Sequence, residues 1–397
     1  MKHISGARSA ALLLATILAF STGSATTTTA VRDNAPNCDC FLLSGTDRGY
    51  FQNHRFIDFR NIPPGPGEDF TKPPPLLVES ENAGAEAVTS SYFNSTPFTT
   101  DWFFTNGPTK HNSTLTSVDS PRNIFLFKDP DTESTYLALR AQRLASFVSN
   151  AEIDTNLQTI LHSSLRTRAR LIPALSSTQT SGGPQPYTNP SPSSPPIPGL
   201  NTSHPIAPGA VLGFFTYHSE TQESDIEILT SDPVSQIRYS NQPDYNIAAD
   251  TPVAGASTAQ ILARGIDWTN WHEHRIDWFA GVSRWYVDGT LVLEKTVNVP
   301  TAPSALLLNL WSDGGNWSGD MSVGAQVVAG FEWVEMVYNV SDAGGGAKGC
   351  GTGCVVDGVR VQGTPEKGFG SGAARGMVVL QMVFVGVVCG WLGVGYV

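Results

Sequence analysis

The segment Thr221-Gln222-Glu223-Ser224-Asp225-Ile226-Glu227-Ile228-Leu229 sets three carboxylates at every second position. On an extended strand alternate side chains share a face, so Glu223, Asp225 and Glu227 point one way and Ser224, Ile226 and Ile228 the other. Three like charges in a row repel, which costs stability unless something uses them. A pair of carboxyl groups roughly 5–5.5 Å apart can cleave a glycosidic bond with retention, one as nucleophile and the other as acid/base. Positions four residues apart on a strand have Cα atoms about 13 Å apart, at ~3.3 Å per residue. Glu223 and Glu227 side chains leaning over the middle residue close most of that gap. Asp225 between them raises the pKa of at least one neighbour, because like charge disfavours ionisation; an acid/base that keeps its proton near neutrality needs such a shift. The competing readings are a solvated acidic strand face and a calcium-binding edge.

The alphabet of the chain suits strands as carriers of that segment. Charged residues are 15%, hydrophobic ones 40%, and Gly (38) and Pro (27) are abundant, which leaves little material for long helices. Short apolar or alternating runs at 135–141, 165–172, 211–218, 224–229, 272–278, 283–287, 305–311 and 331–338 are separated by turn-rich stretches. Asp288-Gly289 between 283–287 and 290–293 is a hairpin signal. The pattern predicts an all-β, antiparallel two-sheet sandwich rather than alternating helices. In 305–311, Leu306, Leu308 and Leu310 face the core, so Asn309 and Trp311 face the other side with the carboxylates; the competing reading for Trp311 is ordinary packing. A net charge of −11 argues against a nucleic-acid binder, which needs a positive face for phosphates, and it suits an uncharged polysaccharide.

Beyond the carboxylate strand, further segments align in order with a known family. Gly213-Phe214-Phe215-Thr216-Tyr217 precedes Glu-x-Asp-x-Glu; Trp271-His272-Glu273-His274-Arg275-Ile276-Asp277-Trp278, Ser283-Arg284-Trp285-Tyr286-Val287-Asp288-Gly289, Leu308-Asn309-Leu310-Trp311-Ser312-Asp313-Gly314-Gly315-Asn316-Trp317 and Glu332-Trp333-Val334-Glu335-Met336-Val337-Tyr338 follow. Together they resemble glycoside hydrolase family 16, and segments near 50–61 and 98–102 resemble its fungal members. The resemblance implies a concanavalin A-like β-jelly roll with a concave sugar-binding cleft. It implies Glu223 as nucleophile, Glu227 as acid/base and Asp225 as their assistant, with Asn309, Trp311 and, more weakly, Trp317 as substrate contacts. Thr221 stands where several bacterial members carry an aromatic, and the strand lacks the extra residue often found in laminarinases. The implied activity is retaining endo-hydrolysis of cell-wall β-glucan, β-1,3 or mixed β-1,3-1,4, by a monomer without cofactor; no metal ligand set is evident and a structural calcium is not indicated. Transglycosylation by the same residues and a non-catalytic lectin are the alternatives, and intact carboxylates argue against the lectin.

The ends read as targeting segments. Lys2 and Arg8 precede an apolar run, giving a signal peptide over 1–25. The catalytic domain is then expected over 26–343, with a Pro/Ser-rich surface insertion at 176–200 and a Gly-rich linker at 344–370. The run 377–397 is apolar apart from Gln381, with small residues just before it and no basic residue after it, so 371–397 reads as a GPI-anchor signal or else a membrane anchor. The expectation is a secreted protein held at the cell surface or wall. Cys38 and Cys40 are too close to bond each other without strain, so two disulfides from them to Cys350 and Cys354 are expected, with a four-cysteine zinc site as the alternative. Sequons at Asn94, Asn112, Asn201, Asn316 and Asn339 fit the same secretory route. His272 and His274 share a strand face but lack a third ligand, which favours packing, or a hydrogen bond with the carboxylate strand, over a metal pair.

Overall fold

The computed structural model describes residues 31–33, 37–44, 49–109, 115–172, 206–341 and 350–369. The expected signal peptide, the 176–200 insertion, the C-terminal apolar run, Asn112 and Asn201 lie outside them.

The expected strands form because their alternation has two surfaces to satisfy. One sheet runs, neighbour to neighbour and antiparallel throughout, from Ser257–Ile261 through Gln236–Asn241, Gln222–Leu229, Val211–Ser219, Ala305–Trp311 and Phe147–Thr155 to Trp102–Phe104. The opposing sheet runs from Thr290–Lys295 through Val282–Val287, His272–Phe279 and Ile160–Ile172 to Gln326–Val340. Gln326–Val340 then pairs with Asn53–Asp58 along one half and with Thr135–Arg143 along the other. The sheets join where Thr135–Arg143 pairs with Phe147–Thr155, so the whole is a sandwich curved towards a barrel. Ile226, Ile228, Leu306, Leu308 and Leu310 from the first sheet meet Leu165, Ile276, Trp278, Trp285 and Val334 from the second in one buried core. Burial of such side chains supplies about 1.5–3 kcal/mol each. This is the all-β jelly roll that the sequence implies. Asp288 and Gly289 turn with positive φ (47° and 72°), the backbone that a tight two-residue hairpin requires.

The Gly-rich stretch 344–370, which composition assigns to a linker, is folded over its described part. Gly353–Val355 pairs parallel with Cys40–Leu42 and antiparallel with Glu366–Phe369. Cys38 bonds Cys354 and Cys40 bonds Cys350. Asp357 ties this small sheet to the opposing sheet: it accepts from Arg166 (2.7 Å), Arg275 (3.0 Å) and the Ser44 backbone N–H (2.6 Å). Burial works against the Asp357 charge, but the two guanidinium groups and Ser44 hold its carboxyl well below the usual carboxylate range. The composition misleads here because glycines needed for tight turns look the same as glycines of a flexible tether.

The disulfides span separations of 316 and 310 residues, so either one alone closes nearly the same large loop of the unfolded chain. In the chain-entropy model the first closure stabilises by about 5 kcal/mol, and the second adds little because it then closes only short loops. Replacing Cys40 and Cys350 together by serine is therefore expected to lower the thermal midpoint only slightly. Replacing all four is expected to lower it by much more than twice that amount. Equal, additive losses in differential scanning calorimetry would contradict this coupling.

Candidate active site

Strand register builds the site row by row. Glu227 stands beside Arg238 on one neighbour and Gly213 on the other, Gly213 beside Asn309, and Asn309 beside Glu152. One step along the strands lies the row Ser240, Asp225, Phe215, Leu307 and Asp154, and one further step brings Glu223 beside Tyr217 and Ala305. These rows cross the strands, and the side chains on their exposed face line a cleft of about 830 Å³. Phe215 and Leu307 form its apolar floor. Gly213 has a steric reason: a Cβ there would meet Asn309 Oδ1 at 2.4 Å. The missing side chain leaves a gap in the floor between Glu227 and Asn309.

The carboxylates assigned from the sequence are together. Asp225 is buried (2% exposed), and Glu223 and Glu227 are half-buried at the cleft surface. Burial, reinforced by the Asp225 charge, pushes the Glu227 carboxyl up to about 8, against a Trp317 indole N–H that donates to its Oε1 at 3.2 Å. Burial and the neighbouring Glu223 raise Asp225 well above the ordinary range. Burial pushes Glu223 up to about 8 as well, although a hydrogen bond with Asp225 works against the rise. As two ionised groups they hold no donor for each other, and Asp225 Oδ1 lies buried without a partner. A proton on Asp225 turns this conflict into a donated hydrogen bond that favours the charged form of Glu223.

The expected sugar contacts divide. Asn309 lines the cleft and donates from Nδ2 to Glu152 Oε2 (3.2 Å), and Trp311 lines it half-buried. Trp317 is more than a lining ring: besides holding Glu227 it carries Arg238 over its face at 4.8 Å, and Asp232 pairs that guanidinium at 2.8 Å. Asn316, a sequon, is exposed at the cleft edge; Asn94 is exposed elsewhere; the Asn339 amide is engaged with the Gln52 N–H and the Tyr50 carbonyl. His274 is buried in the sandwich, where desolvation depresses it to about 4, and His272 bonds Asp288 of the hairpin (2.6 Å), not the carboxylate strand.

Several lining residues escape the sequence reading. Glu152 lines the cleft from Phe147–Thr155 with Asp154 buried next to it on the same strand face, and the Thr105 hydroxyl lies 3.1 Å from a carboxylate oxygen of each. Burial, with Glu152 adding its charge, pushes Asp154 and Asp119 up to about 7 each. The signal was present, since Glu152-Ile153-Asp154 has the same alternation as the carboxylate strand. Gln242, Asp244 and Tyr245 come from the loop after Gln236–Asn241, where no periodicity marks them. Among the described residues no cluster of His, Cys, Asp and Glu is arranged to hold a metal ion.

Fold and site together define a jelly-roll protein with a carboxylate-bearing cleft strand. No family model matches the chain. It is 31% identical over 139 residues to the beta-glucanase of Paenibacillus polymyxa, covering 33% of this chain and 54% of that protein. It is 32% identical over 135 residues to the beta-glucanase of Bacillus subtilis (strain 168), covering 32% and 51%. The chain thus spans about half the length of the curated relatives it matches. A solved Bacillus licheniformis beta-glucanase aligns with TM-score 0.43 and 19% identity over 61% of this chain and 94% of that one. The chain is a homologue of the beta-glucanases, as its resemblance to glycoside hydrolase family 16 implies.

The raised carboxyl of Glu227 has a thermodynamic consequence. Its folded-state value, about 8, lies above the ordinary 4.5, so between those values the native state holds a proton that the unfolded chain releases. Stability is therefore lost as pH rises through that window. Glu227→Gln keeps the acceptor for Trp317 and cannot ionise. Its thermal midpoint should match or trail wild type at pH 4 and exceed it by a few degrees at pH 8. A difference that does not change with pH would contradict the burial of this charge.

Proposed function

We propose that the protein is a retaining endo-β-glucanase that cleaves β-1,3 or mixed β-1,3-1,4 glucan by double displacement. The observation that carries this is the arrangement on one strand: Glu223 and Glu227 face the same cleft, Asp225 is buried between them, and a hydrogen bond with Asp225 favours the charged form of Glu223. Glu223 attacks the anomeric carbon as the glycosidic C–O bond breaks, and the Glu227 proton passes to the departing sugar oxygen. The product of this step is a glycosyl ester on Glu223. Glu227, now ionised, takes a proton from water, whose oxygen displaces Glu223 from the anomeric carbon and restores both groups. The Asp225 proton shields Glu223 from its neighbours' charge, and burial makes Glu227 a weak enough acid to hold its proton until the leaving oxygen needs it.

The open cleft favours attack within a chain over removal of terminal units, and its Trp311 and Trp317 rings suit the flat faces of glucose units. The name beta-glucanase carried by relatives supports glucan as substrate. Two disulfides in the folded body support a secretory route and a place outside the cytosol, where cell-wall glucan is met.

Wild-type protein is expected to release oligosaccharides from laminarin, from lichenan or from both. Glu223→Gln and Glu227→Gln should each remain folded and lose at least about 10³-fold in kcat. Turnover of either variant within tenfold of wild type, or binding of glucan without any cleavage by wild type, would overturn the reading. Products longer than the substrate would move the function to transfer between chains.

A further inference from the structure

Gln242 sits where the strand Gln236–Asn241 ends, and it is fastened to the carboxylate strand by its backbone, whose N–H donates to the Glu223 carbonyl at 3.0 Å. Its side-chain amide has one permitted orientation. Oε1 accepts the Asp244 backbone N–H at 2.9 Å, which turns Nε2 towards Asp225, where it donates to Oδ2 at 3.2 Å. Were the amide flipped, two donors would face each other at Asp244 and two acceptors at Asp225.

A fixed N–H against Oδ2 decides where Asp225 can carry a proton. A hydroxyl on Oδ2 would compete with that donor, so the proton belongs on Oδ1, the buried oxygen that otherwise has no partner. From the fixed amide we infer that Gln242 is a positioning residue that sorts the Asp225 proton onto Oδ1, so that Glu223 receives a hydrogen bond instead of a second negative charge. The groups that face Asp225 agree with this need. Glu223 and Glu227 flank it on its own strand and Asp244 approaches from the loop that follows the neighbouring strand, all acidic. The flanking-strand residues in register with it, Phe215 and Ser240, do not titrate. Arg238, the nearby cation, stands opposite Glu227 and is paired with Asp232. A neutral donor with a locked orientation is therefore what distinguishes the two oxygens of Asp225. Sequence reading misses Gln242 because it lies in a loop with no alternation and its partner is fifteen or more residues earlier.

The consequence for turnover rests on the proposed double displacement; the sorting of the proton does not, and the test separates them. Protein labelled with ¹³C at aspartate and glutamate carboxyl carbons is titrated by NMR, with Asp225→Asn and Glu223→Gln assigning the two signals. Gln242→Met keeps the side-chain length and removes the donor; Gln242→Glu keeps the acceptor for the Asp244 N–H. In both variants the Glu223 signal is expected to titrate at least half a pH unit higher than in wild type, because the hydrogen bond from Asp225 is no longer enforced. On a glucan that wild type cleaves, kcat should fall about tenfold or more, with the acid limb of its pH profile displaced upward by the same half unit and KM changed less than threefold. A Glu223 titration in folded Gln242→Met and Gln242→Glu that superimposes on wild type overturns the inference, whether or not the wild type cleaves glucan. A fall in kcat with an unmoved acid limb overturns it too, since that is the signature of packing alone. Absence of wild-type turnover would instead strike the proposed function and leave the NMR titration to decide the proton's place.

Discussion

Three carboxyl groups on one face of one strand, with the middle one sealed from solvent, are the constraint around which the rest of this molecule is arranged. Ionised together they would repel at close range in a poorly solvated place. The structure resolves the conflict by raising all three: Glu223 and Glu227 to about 8, and Asp225 well above the ordinary carboxylate range. In the proposed reaction the proton retained on Glu227 is the one that passes to the departing sugar oxygen. The energetic burden of the strand and its chemical capacity therefore come from the same desolvation.

Such a strand has to be held from behind and from both sides. Ile226 and Ile228 anchor its other face in the sandwich core, which prevents a one-residue slip that would turn the acids inward. Neighbouring strands set Gly213, Phe215 and Tyr217 in register with the carboxylates on one side, and Arg238 and Ser240 beside Glu227 and Asp225 on the other. Gly213 opens the floor where a larger residue would strike Asn309. Far from the cleft, the disulfides join the segments that carry Cys40–Leu42 and Gly353–Val355, and the Asp357 ion pairs fasten them to the opposing sheet, so that sheet can serve as a stiff backing.

Much of this was readable beforehand, for a physical reason. Alternation is a strong signal when one face is buried, and so Glu223, Asp225, Glu227, Asn309 and Trp311 could be set on the cleft side from spacing alone, as could the hairpin at Asp288-Gly289. Phe147–Thr155 obeys the same rule, and Glu152 and Asp154 were within reach of it. Gln242, Asp244 and Tyr245 were not, because loop residues are brought to the site by the path of the chain and carry no period. Trp317 was placed in the cleft by likeness, but its hydrogen bond to Glu227 depends on tertiary geometry. The residues 350–369 read as tether because glycine content does not distinguish turns from flexibility; only the cysteines hinted that this segment returns to the body.

The central claim is that Glu223 is the nucleophile of this trio. An activated 2-deoxy-2-fluoro-β-glucan oligosaccharide, which forms the glycosyl ester readily and releases it slowly, tests that claim directly. Peptide mass mapping of the treated protein should find one added oligosaccharide, on the peptide that carries Glu223 and at that residue. A sugar attached to Asp225 or Glu227, or a protein that turns the reagent over without any adduct and gives product of inverted anomeric configuration, would contradict the account.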